Sequence, residues 1–302
     1  MLQFFVNTTI YSKNPSNRYI LGVDEAGRGP VLGPMVYTAG FCLEEKYSEF
    51  KNNDFVDSKQ IDEAKREDRF LAIQSDEINE YSGWATQIIS PQEISHSMLR
   101  RNKYNLNALA HDTTIDIIQK VIDLGYNITE IYVDTVGPPE SYNKKLSNRF
   151  PGTKVVVAKK ADSLYPIVSA ASICAKVARD TVIKNWKFLE SSSGELDISR
   201  NFGSGYPSDP NTVKWLKKNM DHVFGYPNIV RFSWSTCKKL LDENTAHVSF
   251  HCESDEEPIK KNVLGTKRKA SHEFFPDTNK PKPMFNSLFI KKNCIEIFSN
   301  SI

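Results

Sequence analysis

Histidine is scarce in this chain of 302 residues, which has only His96, His111, His222, His247, His251 and His272. They show no pairing suited to acid–base catalysis between two imidazoles. His247 and His251 stand near Cys252, but no full set of zinc ligands accompanies them. The five cysteines, Cys42, Cys174, Cys237, Cys252 and Cys294, contain no CxxC pair and are odd in number. That argues against a disulfide framework and for a reducing compartment. No apolar run is long enough to span a bilayer, and Met1-Leu2-Gln3-Phe4-Phe5-Val6 is too short and uncharged for a secretory signal. The expectation is a soluble intracellular protein. A net charge of only +2 supplies no global field, so any affinity for a polyanion must come from a local basic face.

Acids placed after apolar runs are the informative presence. Tyr19 to Val23 reads as a strand that runs into Asp24-Glu25 and then the turn Ala26-Gly27-Arg28-Gly29-Pro30. Two carboxylates at a strand end can hold magnesium, which takes a few hard oxygens and leaves positions for water and phosphate. Gly27 and Gly29 leave the backbone open to close approach on either side of the Arg28 guanidinium. A tight turn with two solvated acids is the alternative. Asp134 ends a second strand, Ile131-Tyr132-Val133, before Thr135-Val136-Gly137-Pro138-Pro139. Asp162 follows a third, Val155-Val156-Val157, through Lys159-Lys160-Ala161, and also reads as the N-cap of the next helix. A helix N-terminus favours the ionised carboxylate that a metal needs, so the two roles agree. Four carboxylates at three strand ends suit a site with two metal ions.

The periodicities predict strands near 19–23, 34–42, 82–89, 129–134 and 154–158. Helices are expected over 61–78, from a Ser90-Pro91-Gln92-Glu93 capping box, over 105–124 up to Gly125, and over 139–149 and 164–189. Two more begin at Asp209-Pro210 and span Ser233 to Glu243. In the 164–189 helix, Ser169, Ser172, Lys176 and Arg179 share one face, read either as a phosphate-binding stripe or as the helix's wet side. This is an α/β chain with a mixed five-stranded sheet flanked by helices and a helical C-terminal extension.

Five runs together carry a resemblance: Gly22 to Tyr37 (GVDEAGRGPVLGPMVY), Asp134 to Gly137 (DTVG), Lys160 to Asp180 (KADSLYPIVSAASICAKVARD), Gly203 to Pro207 (GSGYP) and Val230 to Trp234 (VRFSW). Over about residues 18 to 243 the chain resembles the catalytic subunits of eukaryotic type 2 ribonuclease H, in the ribonuclease HII family. The resemblance implies the ribonuclease H-like fold and an endonuclease that cuts the RNA strand of RNA/DNA hybrids. It also implies nicking of duplex DNA 5′ of single embedded ribonucleotides, leaving 3′-hydroxyl and 5′-phosphate ends. Its metal-binding catalytic acids fall on Asp24, Glu25, Asp134 and Asp162, with two Mg²⁺ or Mn²⁺ ions as cofactors. The family's ribose-reading turn falls on Gly27, Arg28 and Gly29, and its junction tyrosine on Tyr206. Lys59, Lys160, Ser172, Lys176 and Arg179 are further candidate substrate contacts. Phe202 stands where some relatives carry a tyrosine, which puts one polar contact in doubt.

By resemblance the partners are two non-catalytic subunits of a heterotrimer, the setting is ribonucleotide removal in DNA replication and repair, and the compartment is the nucleus. The competing readings are a hybrid-only ribonuclease H, a junction-cleaving nuclease on the same fold, and a non-catalytic hybrid-binding subunit. Residues 1–17 are expected to be an N-terminal extension and 18–243 the catalytic domain. Residues 244–283 carry Glu253-Ser254-Asp255-Glu256-Glu257, Lys267-Arg268-Lys269 and the helix-interrupting Pro276, Pro281 and Pro283, which suits a flexible charged linker. The basic run there is also a candidate nuclear address. Apolar clusters return in 284–302, a candidate partner-docking tail.

Overall fold

The computed structural model describes residues 2–8, 16–53, 62–102, 104–188, 190 and 198–245. Lys59, the 246–302 segment with its tail and basic run, and the His247–Cys252 cluster lie outside the described residues.

Six strands form one sheet: β1 (Leu2–Thr8), β2 (Arg18–Ala26), β3 (Met35–Leu43), β4 (Ser82–Ile89), β5 (Asn127–Asp134) and β6 (Lys154–Ala158). Their order is β1-β4-β3-β2-β5-β6, with β5 parallel to β2 and β6 parallel to β5 and every other pair antiparallel. The sheet is mixed as expected, but it has six strands where five were expected. The extra strand lies inside the stretch read as an N-terminal extension and pairs with β4 from Leu2↔Ile89 to Thr8↔Gly83. A seven-residue segment of mixed polarity with no local partner carries no strand signal of its own, because its ladder is made with residues about eighty positions away.

The helices are α1 (Tyr47–Lys51), α2 (Glu63–Ile73), α3 (Asp76–Asn79), α4 (Pro91–Leu99), α5 (Leu106–Asp123), α6 (Pro139–Arg149), α7 (Ala161–Leu164), α8 (Pro166–Lys184), α9 (Pro210–Lys218) and α10 (Ser235–Asn244). The helix expected over 61–78 is two, because the Ser75 hydroxyl accepts from the Ile78 amide and starts α3 afresh. The helix expected from 164 is interrupted in the same way. Pro166 forces Tyr165 into an extended conformation (φ −125°, ψ 113°), so α7 stops and α8 begins. Asn105 and Ser90 cap α5 and α4 through the amides of Ala108 (2.9 Å) and Glu93 (3.1 Å).

Helices cover both sheet faces. Tyr19, Leu21 and Val23 of β2 pack with α5 and α6, while Ile20 faces α8. Burial on both sides explains why β2 and β3 read as nearly unbroken apolar runs. α8 rests directly on β2, since a Cβ at Gly22 would lie 2.7 Å from the Ile167 and Val168 backbone. The C-terminal segment then closes over the β2–β3 connection: Leu32 bridges Val230, the Gly33 amide donates to Ile229 (2.8 Å), and the Arg231 amide donates to Val31 (2.9 Å).

Candidate active site

The parallel pairing of β2 and β5 sets Val23 beside Val133, so Asp24 and Asp134 are the next residues on adjacent strands. Asp134 in turn pairs with Ala158 at the end of β6, and its Oδ1 accepts from the Ala161 amide at 2.9 Å. That bond fixes the start of α7, which carries buried Asp162 in its first turn. The N-cap is Lys160, not Asp162 as expected, and Lys160 is the one non-glycine among the described residues with positive φ (56°). The left-handed conformation turns the chain from β6 so that Ala161 reaches Asp134.

Asp24 is buried, and its carboxyl is pushed up to about 7, first by burial, against the Ser172 hydroxyl bond that lowers it, and further by the charges of Asp134 and Asp162. The structure therefore brings Asp24, Asp134 and Asp162 together. Glu25, next along β2, is half-buried at the strand end and acts electrostatically on Tyr37 and Tyr142. Ser172 and Ser169 are fully buried, so the expected phosphate-binding stripe of α8 does not open to solvent there. The sheet packs along that helix, and residues 27–34 meet it farther on, at Arg179 and Ile183. Ser172 supports Asp24 instead.

Arg179, expected as a phosphate contact, has its guanidinium under the turn, donating from Nε to Pro34 (3.3 Å) and from Nη2 to Leu32 (3.2 Å). Lys176, one turn earlier on α8, is half-buried, and Lys160 is exposed. Gly27 has φ 77°, and Arg28 donates to the Asn107 side chain at the start of α5. Gly29 is exposed, and a Cβ there would stand 3.0 Å from the Tyr206 ring. The Gly203–Pro207 loop is tied to this turn by the Val31 amide donating to Gly205 (2.8 Å). Its own shape comes from Asp209, whose Oδ2 accepts from the Ser204 amide (2.7 Å) and hydroxyl (2.8 Å). Tyr206 is 48% exposed beside the turn. Phe202 packs edge-on against Trp215, its ring occupied in the core.

Sequence reasoning assigned no role to Asn107, His111 or Arg231. His111 stacks on Tyr142 (3.8 Å between centroids) and bonds the Val136 carbonyl (2.9 Å), tying α5 to the turn after Asp134. Arg231 is fully buried, and burial, then the nearby Arg179 charge, lowers its pKa to about 9, leaving it charged at neutral pH. A charged residue inside the apolar run Ile229 to Phe232 was the available signal.

Three carboxyls held together repel one another, as the Asp24 shift records. A divalent cation would remove that repulsion, and hard carboxylate oxygens are the donors magnesium or manganese takes. Among the described residues no three His, Cys, Asp or Glu side chains close around one point. A magnesium site completed by water and substrate phosphate needs no such cage. The donor set fits the ion.

A mixed sheet with acids gathered at neighbouring strand ends is the architecture of the ribonuclease H-like nucleases. Residues 21–237 match the family described as Ribonuclease HII, and the chain belongs to that family. It is 50% identical over 231 residues to a ribonuclease H2 subunit of Bos taurus, covering 76% of each chain. The corresponding Homo sapiens protein is 43% identical, with 92% of this chain and 89% of that one covered. Ribonuclease H2 from Pyrococcus horikoshii superposes with a TM-score of 0.60 at 32% identity, covering 74% of this chain and 98% of that one. Bst ribonuclease HIII, solved with Mn²⁺, shares the fold at 18% identity and a TM-score of 0.56. The chain is accordingly a ribonuclease H, an endoribonuclease of RNA/DNA hybrids.

Proposed function

We propose that this ribonuclease H also nicks duplex DNA on the 5′ side of single embedded ribonucleotides, and that Asp24, Glu25, Asp134 and Asp162 hold two divalent cations for the reaction. The supporting observation is the joining of three parts: the acids at the ends of β2 and β5, the Gly27–Gly29 turn that leaves β2, and the Tyr206 loop bonded to that turn. A 2′-hydroxyl is what distinguishes a ribonucleotide from its DNA neighbours, and it both donates and accepts a hydrogen bond. Backbone groups of Gly27, Arg28 and Gly29 suit that recognition, with the exposed Tyr206 ring placed to stack on the next sugar or base. Bound magnesium or manganese supplies Lewis acidity for hydrolysis of the phosphodiester.

The residues of the chain do the rest. Asp134 anchors the Ala161 amide and thereby places Asp162, while the Ser172 hydroxyl orients Asp24. Lys160 and Lys176 neutralise substrate phosphate, as does Lys59 beyond the described residues. The 2′-hydroxyl is recognised and not used as nucleophile, so the ends are a 3′-hydroxyl and a 5′-phosphate. The relatives' names, which make each of them one subunit of ribonuclease H2, support a multi-subunit assembly, read here as a nuclear heterotrimer with two non-catalytic subunits that serves ribonucleotide removal in replication and repair. Residues 284–302 are the proposed docking tail. Among the described residues no helix is long and apolar enough to cross a membrane.

A DNA duplex with one ribonucleotide, incubated with Mg²⁺ and either the wild type or Asp134→Ala, tests this reading. A nick 5′ of the ribonucleotide with those ends, absent from the variant, is expected. Cleavage of a long hybrid without that nick would leave a hybrid-only enzyme, and a 2′,3′-cyclic phosphate would refute the mechanism.

A further inference from the structure

Arg231 is fully buried, with no carboxylate among the described residues bonded to it; its guanidinium donates to four backbone carbonyls. Nε reaches Gly33 (2.8 Å), Nη1 reaches Arg28 (3.2 Å), and Nη2 reaches both Gly27 (2.6 Å) and Pro34 (2.8 Å). All four acceptors belong to the connection between β2 and β3. Only a guanidinium has enough N–H groups in one rigid plane to serve four carbonyls at once. Trp234 extends the same arrangement, its ring lying against Arg231 (4.8 Å) and its Nε1 donating to Gly29 (3.1 Å).

The peptide unit is planar and trans, so each carbonyl points opposite to the amide of the following residue. Turning the Gly27 and Arg28 carbonyls inward to Arg231 aims the amides of Arg28 and Gly29 away from it, in the turn that the Tyr206 ring flanks. We propose that Arg231 is a positioning residue that sets ribose selectivity, by locking the carbonyls of the Gly27–Gly29 turn inward so that two amides are presented to the 2′-hydroxyl. This rests on the ribose-reading role proposed above for the turn. Under a bound duplex the amides are paired by a ribose and left unpaired by a deoxyribose, and a site built to bond a hydroxyl rejects an analogue that lacks it. Arg231 thus acts on discrimination without touching substrate.

The test uses the full chain and two duplexes of one sequence, one with a single ribonucleotide and one all DNA. KM is measured for the first and the inhibition constant Ki for the second. Neither constant depends on the fraction of enzyme that is folded, so partial instability does not distort the comparison. Arg231→Lys keeps the charge but not the four-way bond. It is expected to raise KM for the ribonucleotide duplex about tenfold while Ki of the all-DNA duplex stays where it was. KM and Ki rising together, or neither moving, overturns the proposal. If Arg231→Lys has no activity, equilibrium binding of the two duplexes to that variant decides: an about tenfold loss of affinity for the ribonucleotide duplex at constant affinity for the all-DNA duplex supports the proposal, and equal losses or none overturn it. A wild type whose KM equals its Ki refutes the ribose-reading turn itself, and the role of Arg231 falls with it.

Discussion

Gly27→Ala and Gly152→Ala form a matched pair that separates backbone strain from crowding. Both glycines have positive φ, 77° and 84°. A side chain in that region costs about 1–2 kcal/mol whatever surrounds it. At Gly152, between α6 and β6, an added Cβ meets nothing within 4 Å, so Gly152→Ala is expected to show that cost alone. At Gly27 the Cβ would stand 2.1 Å from Arg179 Nε, 2.4 Å from its Cδ and 2.7 Å from the Pro34 oxygen. Arg179 cannot swing aside without giving up its bonds to Leu32 and Pro34, and Pro34 is also held by Arg231. Overpacking of this kind adds about 1–3 kcal/mol, so Gly27→Ala is expected to lose roughly 2–5 kcal/mol in all. Urea unfolding of both variants under one set of conditions measures the difference, and cleavage assays below the melting range measure its effect on the site. Activity is expected to survive Gly152→Ala and to fall in Gly27→Ala. Equal destabilisation of the two, or a Gly27→Ala enzyme as stable as the wild type, would refute the argument that Arg179 and Pro34 fill the space behind the turn.

Other substitutions test neighbouring parts of the site. Asp134→Asn and Asp134→Ala are both expected to lose at least about a hundredfold in kcat. Asparagine keeps an acceptor for the Ala161 amide, so only the alanine variant is expected to unfold more easily, by about 1 kcal/mol in denaturant titrations. Tyr206→Ala is expected to cut turnover of single-ribonucleotide duplexes about tenfold while leaving the melting temperature in place, since the ring is half-exposed; retained turnover would exclude a stacking role. The Asp209 carboxyl is held down to about 2 from 3.8, chiefly by the Ser204 amide, then by the Ser204 hydroxyl and the Asn211 amide. A depressed folded value stabilises above the unfolded one, so its contribution is complete above about pH 4 and disappears as pH falls through about 2. A carboxyl ¹³C titration is expected to place the midpoint near 2; one near 4 would show that the loop bonds do not persist in solution.

The acids were legible because each follows a strand, and strand ends are set by local pattern. Register then makes Asp24 and Asp134 neighbours, which the sequence implies only once β2 and β5 are known to be parallel. β1 escaped notice because its partner strand is remote in sequence. The polar stripe of α8 is buried at Ser169 and Ser172 and half-buried at Lys176 and Arg179. Periodicity reveals which side chains share a face, but not that Asp24 of β2 would meet Ser172 or that residues 27–34 would meet Arg179 on that face. Arg231 was hidden for a different reason: a guanidinium bonded to backbone carbonyls leaves no complementary acid in the sequence to betray it.

The bond from Arg231 to Gly27 spans 204 residues. During synthesis at about 5–20 residues per second, roughly 10–40 s separate the appearance of the turn from that of the residue that completes it. Over that interval β2 and β3 can pair as a hairpin, but the connection between them lacks the side chain that organises its carbonyls. The bonding of the turn therefore arrives late, after all the residues of the sheet have been made. A nascent chain shorter than about 231 residues holds its acids beside a turn whose carbonyls Arg231 has not yet bonded.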